Sequence, residues 1–141
     1  MHSYTFYCVL LICFVQTICL EIPDELLDKD ILECMEKAKI DKKLVQKITD
    51  ENFHVGKGNS QFNEYFECVA TSRHMVTETG EFNREVLHND VINILLPIIN
   101  KKDKNEVAYK IVDECMDIKN DNLGHRMIEL HNCLVDAANK H

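Results

Sequence analysis

The sequence predicts an all-α domain, a compact bundle of about six short helices. Two observations lead there: after residue 20 apolar residues recur with helical spacing, and no segment sustains the alternation of a half-buried strand. Composition agrees. With only 4 Gly and 2 Pro in 141 residues, breaks in the helical pattern are few, and the length suits one domain.

The leader is set aside first. Phe6 to Val15 is an unbroken apolar run, and no Lys, Arg, Asp or Glu precedes Glu21. A bilayer span needs about 20 apolar residues. This run is interrupted by Gln16 and Thr17 and then meets Glu21, Pro23 and Asp24, so it reads as the core of a secretory signal peptide and not as a membrane anchor. Thr17 and Cys19 suit the small-residue positions before a cleavage site. The expected division is a signal peptide over 1–19 and a secreted, extracellular helical domain over 20–141.

Within that domain a first helix is expected from near Asp24, just after Pro23, with Leu27, Ile31, Cys34, Met35 and Ala38 on one face. Asp41 caps a short second helix through Leu44, Val45 and Ile48, which dissolves near Gly56-Lys57-Gly58. Ser60 is the expected cap of a third, striped by Phe62, Phe66, Val69 and Ala70 with Cys68 on its flank. Gly80 marks a break. Asn83 caps a fourth helix bearing Leu87, Val91, Ile94 and Leu95, which Pro97 should stop or kink. After a polar connector, Lys101 to Lys104, a fifth helix carries Val107, Ala108, Ile111, Val112, Cys115 and Ile118. Asn120-Asp121-Asn122 then opens a sixth, with Leu123, Met127, Leu130, Leu134 and Ala138. Helices this short must pack at varied angles around one core.

Cleavage after Cys19 removes three cysteines and leaves four, Cys34, Cys68, Cys115 and Cys133. In an oxidising setting these read as two disulfides, with three connectivities open. A metal site is not expected, since no pair has CxxC spacing and no two His stand at i, i+4. Nor is a cofactor. The net charge of −8 argues against nucleic acid and anionic membranes as partners. No GxSxG, HExxH or calcium-loop pattern occurs, so an enzyme is not expected.

These features together resemble the insect odorant-binding proteins of the pheromone-binding and general odorant-binding type. The resemblance rests on the leader, the six-helix pattern and the spacing Cys34-x33-Cys68-x46-Cys115-x17-Cys133. It rests also on Glu64-Tyr65-Phe66-Glu67-Cys68-Val69, similar to the family's third-helix motif, and on Thr79-Gly80-Glu81-Phe82-Asn83, similar to its turn before the fourth helix. The family usually has six cysteines; the two missing ones would fall at Glu64 and Gly124, and they pair with each other in the family. The chain thus resembles the four-cysteine, Minus-C subgroup.

The resemblance implies a helical shell around an apolar cavity, with Cys34 paired to Cys68 and Cys115 to Cys133. It implies a carrier of odorants, pheromones or related lipophilic molecules, working in olfaction or another extracellular fluid. An olfactory receptor or a second copy of the chain are the protein partners it allows. Such a carrier needs a cavity of about 300 to 1,000 Å³ with adaptable apolar walls. The expected lining is Ile31 and Met35 on the first helix, Phe62, Phe66 and Val69 on the third, Phe82, Leu87, Val91 and Leu95 around the fourth, Ile111 on the fifth, and Met127, Leu130 and Leu134 on the sixth. A second reading is a secreted helical protein acting on another protein, as a salivary, venom or signalling factor. His74, His88 and His131 are expected at the surface. Where the third bridge is missing, Glu64 is expected beside Gly124 and His125.

Overall fold

The computed structural model describes residues 24–101 and 105–141, so the expected signal peptide and residues 102–104 of the polar connector lie outside the described residues. A 3₁₀ turn over Asp24–Leu26 precedes α1 (Lys29–Lys37), α2 (Lys42–Ile48), α3 (Ser60–Ser72) and α4, which starts as Arg84–Asp90. It widens to a π-turn at Val91–Leu95 and closes as Leu96–Ile98. Then come α5 (Asn105–Asp113) and α6 (Leu123–Lys140). Among the described residues the fold comprises six helices and two disulfides, with isolated bridges but no strand.

Caps set most helix starts. Asp28, Asp41, Asn59, Asn83 and Asn122 each accept a backbone N–H from the first turn, satisfying donors that would otherwise be orphaned. Hence α1 starts at Lys29, later than expected, and Asn59 caps α3 in place of Ser60. Three helix ends place Lys39, His74 and Asn100 in the left-handed region, at φ 55°, 54° and 57°. Each is followed by an amide bonded back across the last turn: Ile40 to Met35, Met75 to Ala70 and Lys101 to Leu96. Glycine usually fills this position and asparagine sometimes does, so Asn100 was a readable signal, whereas nothing in the sequence advertised the stops at Lys39 and His74.

Pro97 acts differently from a simple stop. It has no N–H to give to the carbonyl four residues back, and its ring would crowd that carbonyl. The turn before it is widened, with Leu96 N–H reaching Val91 O, and the helix passes the proline to end at Ile98. The fifth helix, conversely, is shorter than its apolar row. It ends at Asp113, and Cys115 lies in the turn that follows. Freed from helical register, Cys115 meets Cys133 with a Cα–Cα distance of 5.9 Å, although a tight hairpin would leave the two well out of step. Cys34 and Cys68 join α1 to α3 at 5.7 Å.

α3 and α6 form the central pair of the bundle. Gly124 allows their backbones to meet: a Cβ added there would stand 2.9 Å from Asn63 Cα and the same from its carbonyl carbon, and nearer still to its oxygen. This is where the sequence resemblance would place a third bridge. Glu64 next to it is exposed, and the close approach is made by the Asn63 backbone. Buried side chains fall into two clusters. A large one draws on α3–α6, and a smaller one comprises Ile31, Met35, Ala38, Ile40, Val55, Phe62 and Ile128.

Candidate ligand-binding site

A cavity of about 220 Å³ lies at the seam of the two clusters, taking Ile31, Met35, Val55 and Phe62 from the smaller and Val69, Leu87, Val91 and Leu130 from the larger. It is below the size range expected from the sequence. Of the residues expected to line it, Ile31, Met35, Phe62, Phe66, Val69, Leu87, Val91, Leu95, Met127, Leu130 and Leu134 stand on its wall. Phe82 and Ile111 do not. The Phe82 ring is the platform for the Arg126 guanidinium, 3.9 Å above its centre. Arg126 in turn donates to Ile118 O at 3.0 Å and Gly80 O at 2.6 Å, tying two loops to α6. Ile111 is wholly buried in the larger cluster.

Aromatic rings form one side. Phe62, Tyr65 and Phe66 follow helical spacing on α3, and the Tyr65 and Phe66 rings meet edge to face at 5.3 Å. Tyr65, Phe53, Val55 and His131 were absent from the expected lining. Tyr65 lies on the edge of the α3 stripe, and no periodic signal picks out a loop residue. The loop reaches the cavity because α6 holds it. Asn132 accepts from Val55 N–H at 2.8 Å and donates to its carbonyl at 3.0 Å, and His131 Nε2 donates to Phe53 O at 2.9 Å. Phe53 pays for this placement with φ at 68°, a conformation that bulky side chains rarely take.

His131 is therefore a wall residue and not a surface one. Burial pushes its pKa down, and the neutral imidazole with its proton on Nε2 is the form that fits the Phe53 carbonyl. His88 is also drawn in, stacked on Tyr109 at 3.5 Å. His54, on the outer side of the loop, has the opposite environment. Its Nε2 lies 2.6 Å from Asp136 and its Nδ1 3.3 Å from Asp50, and the Asp136 bond foremost, with Asp50 behind it, raises its pKa against the opposing cost of desolvation.

A raised folded-state pKa adds stability that is fully present below the unfolded value, near 6.5, and is lost as pH rises through the folded value. For His131 the depressed pKa works the other way, costing stability as pH falls below about 6.5. We expect the melting-temperature gap between wild type and His54→Ala to widen on going from pH 8 to pH 6. A gap of equal size at both would show that the two carboxylates do not hold the imidazolium.

Two charged side chains meet on the cavity wall. Arg73 and Asp90 both line it, with Arg73 Nη1 donating to Asp90 Oδ1 at 3.0 Å. Arg73 also pairs with Asp28. Asp90 Oδ2 is buried and has no hydrogen-bond partner among the described residues. Burial raises the Asp90 pKa to about 6 in spite of the guanidinium, which pulls it down. Burial likewise pushes the Tyr65 phenol up to about 12, so its hydroxyl stays a donor.

A helical shell pinned by two disulfides around an apolar cavity suits a protein that binds a small apolar molecule. Comparison with protein families identifies which kind: the PBP/GOBP family model matches residues 24–137. The chain belongs to the PBP/GOBP family, the pheromone-binding and general odorant-binding proteins of insects, whose role is binding and carriage. No curated protein and no solved structure matches it.

Proposed function

We propose that this protein is a secreted carrier: its leader is removed, and the domain over 20–141 holds an odorant, pheromone or similar lipophilic molecule in the cavity while crossing aqueous extracellular fluid. The observation that supports this most is the cavity itself, an apolar space between two cores in a chain of a carrier family. Filled cores leave few voids larger than a water molecule. Met35, Met75 and Met127 on its wall can shift rotamers to admit a guest larger than the empty volume.

Titration of the oxidised protein with a small hydrophobic fluorescent probe tests the reading. Saturable one-to-one binding is expected, with affinity lowered about tenfold in Phe66→Ala and Leu134→Ala at unchanged helix content, the worth of a large apolar contact. A folded, disulfide-bonded monomer that takes up no probe would sink the carrier reading and favour action on a protein partner.

A further inference from the structure

The cavity wall is fastened unevenly. On one side α6 holds the loop between α2 and α3 with four side chains. Glu129 pairs with Lys57, His131 bonds to Phe53 O, Asn132 bonds to both backbone groups of Val55, and Asp136 meets His54. These ties fix Phe53 and Val55 as wall.

The neighbouring stretch of wall is α2. Lys42 and Val45, with the capping Thr49, follow helical spacing and stand on the cavity wall, yet none of the seven residues of α2 is buried. Leu44, Val45 and Ile48 rest half-buried on the smaller core, and no other helix packs closely against α2. Lys42 pairs with Asp24 in the turn before α1, and both side chains are open to water. An exposed pair of this kind adds little to stability. The other helices on the wall all place residues deep in a core: Ile31 on α1, Phe62 on α3, Leu87 on α4 and Leu130 on α6. Segments with few buried apolar contacts open locally at the lowest cost.

We propose that α2 is the door of the cavity: the ligand enters and leaves through transient loosening of Lys42–Ile48, while the loop that follows stays fixed on α6. This rests on the carrier reading above and adds the route. Lys39, in the left-handed region, stands just before the moving segment, and the Thr49–Val55 bridge ties its far end to the fastened loop. Burial is graded along the same route, from half-buried Val45 and Thr49 to Leu87 and Leu130, which are 2% and 1% exposed.

A substitution that favours opening of α2 in the free and loaded protein alike multiplies both binding rates and leaves their ratio, the affinity, unchanged. Stopped-flow mixing with N-phenyl-1-naphthylamine gives the association rate, and a chase with excess 1-decanol gives the dissociation rate. Lys43 is exposed and off the wall, so Lys43→Gly weakens the helix without touching the cavity. Both rates should rise about fourfold, as one glycine in an exposed helix implies, at constant Kd. Lys110→Gly, at an exposed site on α5, which has no residue on the wall, should leave both rates as in wild type. Unchanged rates in Lys43→Gly overturn the proposal. An equal rise in Lys110→Gly overturns it too, since the whole domain would then be opening, as does acceleration confined to Asn132→Ala, which would put the door at the loop. Hydrogen exchange of wild type gives a second reading: α2 amides should exchange at least about tenfold faster than those in the middle of α6, and equal protection overturns the door. Probe binding with either overturning result leaves the carrier intact, whereas no probe binding at all removes both.

Discussion

Replacing Cys34 and Cys68 together by alanine is expected to destabilise the protein by about 4 kcal/mol, the chain-entropy value for a closed loop of this length. The two cysteines are 34 residues apart, against 18 for Cys115 and Cys133, whose removal should cost about 3 kcal/mol. α1 has only nine residues and packs on α3 mainly through the smaller of the two cores, with Arg73 on its capping Asp28 and Gln61 on its C-terminal carbonyls as further ties. Ile31 and Met35 on α1 are also cavity wall, and probe affinity should fall with stability. Urea unfolding of oxidised wild type and the double variant checks this. A loss below about 1 kcal/mol would mean that the unfolded chain is already compact around this pair.

Gly124→Ala gives the second large effect, and its sign is the informative part. On helix propensity alone alanine is better by about 1 kcal/mol. Yet its methyl group would enter the space of the Asn63 main chain, with two backbone atoms at 2.9 Å and no flexible side chain to move aside. We expect a net loss of about 1–3 kcal/mol, the usual range for overpacking a filled site. Stabilisation instead would show that α3 and α6 part easily. Chemical denaturation of the single variant decides between them.

Helical periodicity made the six helices and most of the cavity wall legible, because the face a helix buries is written in every third or fourth residue. Leu87 and Val91, or Phe62 and Phe66, could be placed without coordinates for that reason. Two kinds of residue escaped. Phe53 and Val55 reach the wall from a loop pinned by Asn132 and His131, contacts spanning more than 70 residues that no local pattern encodes. Asp90 and Arg73 sit among polar positions that normally face water, and only the pairing of one with the other lets them stand on the cavity wall. Phe82 shows the opposite case: an inward aromatic beside a polar partner can serve as a support for a cation as well as a wall. The end of α5 was hidden too, because Cys115 and Ile118 continue its apolar row past the point where the helix stops at Asp113.

The contact between Gly124 and the Asn63 backbone also bears on how sequences of this kind can change. The resemblance read from the sequence places a third bridge between positions 64 and 124, which suggests that Glu64→Cys with Gly124→Cys should create one. At Gly124, however, any Cβ collides with the main chain opposite before its sulfur could find a partner. The two helices occupy the space that such a bridge would need. Any side chain at Gly124 is penalised, so a third bridge at this point would require the two helices to move apart first.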